Sequence, residues 1–234
     1  MDRSVIFEDL ELRDYKETWD YQEELFQGLL ATKIKNRSLD PGDQEKTLNR
    51  LLFVEHPHVF TLGKSGSDNN LLVNSLQLQA GNASFYRIDR GGDITYHGPG
   101  QLVGYPLLDL EVFDLTLRAY IYNIEEMIIL TLREYGIEAE RSEGATGVWI
   151  DSEVKGRARK ICAIGVRASR HITMHGFAFN INTDLDYFNY INPCGYTDKG
   201  VTSLARELGE EQDFDKAKFI VRNNFEKVFG VKFL

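Results

Sequence analysis

Two cysteines and one lysine have the most chemistry to offer in this chain. A thiolate attacks an activated acyl carbonyl. A neighbouring ammonium favours the thiolate and can pass a proton. Cys194 stands in Asn192-Pro193-Cys194-Gly195, a turn signature, and turns on a rigid scaffold often present reactive groups. Cys162 lies in a short apolar run two residues from Lys160, and the two-residue period of a strand puts both on one face. The residues alone therefore nominate Cys162 as the thiol paired with Lys160. Against this stand the ordinary roles, a small buried hydrophobe for a lone cysteine and a solvated cation for a lone lysine.

The most unusual stretch runs from Arg90 to Tyr105, with five glycines in 16 residues. Glycine lets backbone approach a ligand, and the side chains between the glycines are polar or aromatic, so the segment is expected to be a loop rich in donors. No Gly-Lys-Ser/Thr follows, and the spacing is not that of a dinucleotide-binding loop. The five histidines are His56, His58, His97, His171 and His175. His171 and His175 are expected on one strand face. No carboxylate or thiol stands at ligand spacing from them, so no metal site is expected. His97 is expected to orient the loop or the pocket.

The segment Arg90-Gly91-Gly92-Asp93-Ile94-Thr95-Tyr96-His97, continued by Gly100-Gln101 and Tyr105, resembles the signature of the lipoate-protein octanoyltransferase family. Further stretches follow in that family's order. They are Glu55 to Gly63, Gly147-Val148-Trp149, Lys160 to Gly165, His175 to Asn180, Asn192 to Gly195 and Val201 to Leu204, so the resemblance covers roughly residues 15 to 230. One departure is Cys162, where the family usually has a small non-thiol residue. The resemblance implies transfer of an octanoyl group from octanoyl-acyl carrier protein to a lysine of a lipoyl domain. The acceptors it implies are the lipoyl domains of 2-oxoacid dehydrogenase complexes and the glycine cleavage H protein. It places the nucleophile at Cys194, overriding the Cys162 reading, and the proton-managing group at Lys160. The substrate-binding residues it implies are Arg90, Gly91, Gly92, Asp93, Ile94, Thr95, Tyr96 and His97. Ala163, Ile164 and Gly165, with Gly176, Phe177 and Ala178, would form the other walls of an acyl slot. Their small, apolar character suits a straight chain, and equally suits plain sheet core. An acyl thioester is already activated, so no ATP and no cofactor is required. Backbone N–H groups near Gly195 or in the glycine-rich loop are both open as the oxyanion site. Two alternatives remain: an ATP-dependent lipoate or octanoate ligase of the same fold, and a non-catalytic acyl-carrier binding module.

Positioning these residues requires a scaffold. Tyr15, Trp19, Gln22, Phe26 and Leu29 or Leu30 recur at helical spacing on one stripe. A second helix is expected from an Asp114 N-cap, burying Leu117, Ile121, Ile124, Ile128 and Leu132 and stopping at Gly136. A third is expected from Asp213 to Phe229 with Gly230 as the stop. Strands are expected at 49–55, 85–87, 104–109, 147–150, 161–168 and 173–182. The mixture lacks a βαβ rhythm. It predicts an α+β fold, one mixed-sheet domain over residues 1–234 with flanking helices, and the resemblance implies the biotin/lipoate protein ligase architecture.

The 234 residues carry 42% hydrophobic and 27% charged residues, which excludes disorder and a disulfide-dense scaffold. Thirty-six acids against 27 bases give −9, a poor balance for a nucleic-acid binder. Two cysteines suggest a reducing compartment. The N-terminal residues show no signal-peptide pattern and no run is long enough to span a bilayer, so a cytoplasmic location without membrane contact is expected. Between Val154 and His175 stand six bases, Lys155, Arg157, Arg159, Lys160, Arg167 and Arg170, and no acid. This strip is expected to dock an acidic carrier.

Overall fold

The computed structural model describes residues 3–192 and 199–234, so Cys194 lies outside the described residues. In chain order the strands are β1 (Ser4–Leu12), β2 (Arg50–Glu55), β3 (Val59–Leu62), β4 (Ser84–Arg87), β5 (Ile94–His97) and β6 (Gln101–Leu107), then β7 (Glu140–Ser142), β8 (Ala145–Ile150), β9 (Arg159–Ser169), β10 (Ile172–Asn180), β11 (Gly200–Val201) and β12 (Lys232–Phe233). The helices are α1 (Tyr15–Asn36), α2 (Ser75–Ala80), α3 (Leu117–Glu134), α4 (Leu204–Leu208) and α5 (Phe214–Phe229). Among the described residues nine strands form one mixed sheet in the order β12-β1-β2-β6-β10-β9-β8-β7, with β11 added parallel to β9. A small sheet, β4-β3-β5, stands beside it.

The sheet has two differently filled faces. On one, Phe53, Leu102, Phe177, Phe179, Cys162 and Val148 pack against α3 and α5. On the other, Leu52, Val103, Tyr105, Leu107 and Met174 pack against Phe26 and Leu29 of α1. Strand alternation sorts the residues, and both faces being covered explains why β6 and β10 are buried along their whole length. Gly104 sits opposite Phe177. A Cβ there would stand 2.1 Å from the Phe177 ring, so glycine is what lets that ring lie across β6.

The helix ends follow side-chain capping. Asp14 accepts from the backbone N–H groups of Lys16 and Glu17, and Asp213 from that of Lys216. The expected Asp114 cap is corrected. Asp114 has φ +56, and Thr116 caps α3 by accepting from Ala119 N–H. The later start leaves Leu117 41% exposed rather than buried. Six residues are buried on the stripe of α1, among them Lys33, whose ammonium pairs with Asp109 and, at 2.9 Å, with Glu111. The glycine-rich segment is not all loop: Ile94–His97 is a strand, paired antiparallel with β3.

Replacing Gly104 with alanine is expected to displace the Phe177 ring and lower unfolding free energy by about 1–3 kcal/mol, the usual cost of overpacking. Urea denaturation of Gly104→Ala against the native protein measures it.

Candidate active site

The sheet face that meets α1 is not filled everywhere. The pairs Val103–Ala178 and Ala178–Ala163 put one valine and two alanines in a row across β6, β10 and β9. One strand period further on, Gly176 pairs with Gly165 beside Tyr105. Small residues in two adjacent rows leave a cavity of about 290 Å³. Its walls include Arg90, Gly92, Asp93, Ile94, Thr95 and His97 from the glycine-rich segment and β5, and Gly144, Ala145, Thr146 and Trp149 from the β7–β8 turn and β8. Lys160, Ala163, Ile164, Gly165, Gly176, Phe177 and Ala178 also border it. Gly91 and Tyr96 do not. Gly91 N–H donates to Val166 O at 2.9 Å, and Tyr96 turns away to stack on Tyr187 and hydrogen-bond His58. Tyr15, Gln101, Val103, Tyr105, His175 and Lys199 line the cavity too and were not expected there.

Lys160 enters the cavity because β9 carries a bulge. Val148 pairs with Cys162, but the next residue, Trp149, pairs with Lys160, so Ile161 is the extra residue. The bulge breaks the two-residue period that would have put Lys160 and Cys162 on one face. Lys160 Nζ donates to Thr146 O at 2.9 Å and lies 4.7 Å from the centre of the Trp149 ring. Gly147, at φ +122, lets β8 pass close by, since a Cβ there would stand 3.3 Å from Lys160 Cε. Cys162 is fully buried in the opposite core. Burial pushes its thiol up, and the nearby Lys160 charge pulls the other way without prevailing. The pairing of Cys162 with Lys160 as nucleophile and activator is therefore corrected.

Residues 199–202 lie at the end of the site near Lys160. Val201 pairs with Lys160, Thr202 N–H donates to Lys160 O, and Lys199 Nζ lies 4.8 Å from the Trp149 ring centre. Two cations thus share one indole. At the same end Gln101 Nε2 donates to Asn180 Oδ1 (2.9 Å) and Asn180 Nδ2 to Thr202 O (2.9 Å).

His97 and His175 line the slot, and burial favours the neutral form of both and of His56, whose ring lies 6.1 Å from that of His97. His97 Nδ1 donates to Gln101 Oε1 at 2.8 Å, and burial lowers the pKa of His97 to about 3. His56 Nδ1 donates to Arg13 O and its Nε2 accepts from the Tyr105 hydroxyl, both at 2.8 Å, and burial lowers its pKa to about 4. His175 Nε2 stands 3.0 Å from Asp89 Oδ1. His171 is exposed in the turn before β10, so the expected shared face with His175 is not formed.

The fold pairs half of the basic strip with acids. Arg159 forks onto Glu207, with both nitrogens at 2.6 Å, and reaches Asp151 at 2.6 Å. Arg167 meets Glu23 at 2.7 Å and Asp89 at 2.6 Å. Exposed bases remain at Lys155, Arg157 and Arg170, and Arg157 reaches Asp151. Acids pair with three of the six bases, and Arg159 and Arg167 are held by acids distant in sequence, so the exposed patch is smaller than the sequence implied.

Residues 14–226 match the Lipoyl protein ligase A/B catalytic domain, and the chain belongs to that family. Within it the chain belongs with the octanoyltransferases. It is 57% identical to the octanoyltransferase of Flavobacterium johnsoniae over 98% of both chains. It is 55% identical to that of Parabacteroides distasonis, over 97% of this chain and 99% of the relative. The fold is that of the bipartite lipoate protein ligase of Thermoplasma acidophilum, with TM-score 0.67 at 16% identity, covering 100% of this chain and 85% of that one.

Two outcomes are expected. In the folded protein Cys162 resists iodoacetamide at pH 8, and peptide mapping finds it alkylated only after denaturation; rapid native labelling would contradict its burial. Second, His56 and His97 fold as neutral groups with lowered pKa, so the unfolded chain takes up protons first as pH falls below about 6.5. Stability is therefore lost from about pH 6.5 down toward pH 4, by about 1.4 kcal/mol per pH unit for each such histidine. Urea titrations across that range should show a shallower slope for His97→Gln.

Proposed function

We propose that this octanoyltransferase carries the acyl group on Cys194. In this reading an octanoyl group passes from octanoyl-acyl carrier protein to Cys194 as a thioester, and then to a lysine of a lipoyl domain. The observation that supports it most is the slot itself, a narrow apolar channel floored by small residues that ends at a lysine ammonium. The Cys194 thiolate attacks the donor carbonyl, and the carrier thiolate leaves and takes a proton from Lys160. The amine of the acceptor lysine then attacks the enzyme thioester. Its excess proton goes to Lys160, and the Cys194 thiolate is restored. The indole of Trp149 and the carbonyl of Thr146 suit the charged form of Lys160 and hold it in place. Arg90, Gly92, Asp93, Ile94, Thr95 and His97 form one wall around the chain, and the Ala163–Gly165 and Gly176–Ala178 stretches form the floor and far wall. Gly91 and Tyr96 support that wall from behind. The acceptors are the lipoyl domains of 2-oxoacid dehydrogenase complexes and the glycine cleavage H protein. The chain works as a single catalytic domain in the cytoplasm. No helix among the described residues is long and apolar enough to cross a membrane.

Intact mass spectrometry after exposure to octanoyl-acyl carrier protein, without nucleotide, tests the reading. The native protein is expected to gain one octanoyl group and Cys194→Ala none. An adduct of undiminished yield on Cys194→Ala would refute the assignment. Lys160→Ala is expected to lose about 10²–10⁴-fold in transfer rate, and Lys160→Arg to stay impaired because a guanidinium does not release its proton.

A further inference from the structure

The slot has a floor two rows long and then stops. Beyond the Gly165–Gly176 pair the same sheet face carries Arg167 and Met174, and α1 lies on them. Arg167 is bound by Glu23 and stands 4.5 Å from the centre of the Phe26 ring, and Met174 packs in one cluster with Phe26 and Leu29. The channel cannot continue beneath that helix.

What closes it is the first residue of α1. Tyr15 lines the cavity, is 3% exposed, and stacks on both Tyr86 (5.6 Å, 21°) and His97 (5.9 Å, 11°). A ring clamped on two others is a fixed wall and not a swinging one. The floor beside it is roofed by Arg90: a Cβ on Gly165 would stand 2.9 Å from Arg90 Cδ. Arg90 is itself locked, its Nη2 donating to Thr61 O at 2.8 Å. The strand is strained here as well. His175, inside β10, has φ +60, a conformation that non-glycine residues hold only where the surroundings enforce it.

The depth follows from strand geometry. From the Gln101–Asn180 pair beside Lys160 to the Gly165–Gly176 pair is two strand periods, about 13 Å at roughly 3.3 Å per residue. An extended eight-carbon acyl group, seven bonds of about 1.5 Å laid in zigzag, spans roughly 9 Å. The remainder is taken by the thioester beside Lys160, and a longer chain would need the space that the Tyr15 ring occupies.

We propose that Tyr15 is the end-stop of the slot and sets the acyl-chain length that the enzyme accepts. The proposal rests on the slot being the octanoyl site. It is tested with octanoyl-, decanoyl- and dodecanoyl-pantetheine as donors to a lipoyl domain, reading kcat/KM for each. The native enzyme is expected to fall sharply between eight and ten carbons. Tyr15→Ala, and Tyr15→Leu as the milder truncation that keeps apolar contact with Tyr86 and His97, are expected to raise the decanoyl-to-octanoyl ratio roughly tenfold, the gain from burying two more methylenes. Tyr15→Phe keeps the ring and is expected to keep the native ratio. A native enzyme that uses all three donors equally overturns the end-stop, as does a folded Tyr15→Leu with an unchanged ratio. A native enzyme that transfers no acyl group of any length instead overturns the reading of the site on which the proposal rests.

Discussion

A sheet covered on both faces has to be filled on both, and this one is filled unevenly. On the α3–α5 side the central strands present Phe53, Leu102, Phe177 and Phe179, and packing is continuous. On the α1 side the matching rows are Val103–Ala178–Ala163 and Gly176–Gly165, and the missing side-chain volume is the cavity. Everything else in the site is arranged around that deficit. Helix α1 covers the face up to the edge of the slot, and the glycine-rich segment with β5 roofs it. The bulge in β9 turns one lysine into it. Close-packed interiors do not tolerate voids without cost, so a space of this size is held open by its rigid walls.

The electrostatics follow from the same geometry. His97 and His175, which line the slot, are held toward the neutral form by burial, with His97 bonded to Gln101 and His175 to Asp89. Lys160 and Lys199 set charge beside Trp149 at the mouth, and Arg90 and Asp93 add it along the glycine-rich wall. Arg159 and Arg167 stand near in sequence to Lys160 but are bound by acids from other elements. They brace β9 instead of adding to the field of the site.

Much of this was legible in the chain, and the failures have physical reasons. Helix α1 is readable from its apolar stripe, and α5 because an aspartate cap, an apolar stripe and a terminal glycine agree. The start of α3 was misread because Asp114 and Thr116 are both acceptable caps and only backbone conformation chooses between them. Strand β5 was hidden by its flanking glycines. At the site, the strand is expected to begin only at residue 104, so Gln101 and Val103 fall in the expected loop and their shared face with Tyr105 is not legible. Tyr15 carried no signal at all, since its role depends on where α1 lands. The bulge at Ile161 was equally invisible, because one extra residue in a strand is defined by the partner strand. The strip of bases read as a patch because its neutralising acids, Glu23, Asp89 and Glu207, arrive from far along the chain.

The position of the slot's floor has a consequence for how the protein breathes. Strands β6 and β10 are the innermost of the large sheet, hydrogen-bonded on both edges and buried along their length. Their amides are protected by the most cooperative part of the molecule, so exposing them to solvent exchange demands an opening close to global unfolding. The mouth is built differently, from the short strand β11, the three-residue β7 and the turn that carries Gly144. Amide exchange should therefore be fast at the rim and slow at the floor. The floor of the cavity is thus its stiffest part and the rim its softest.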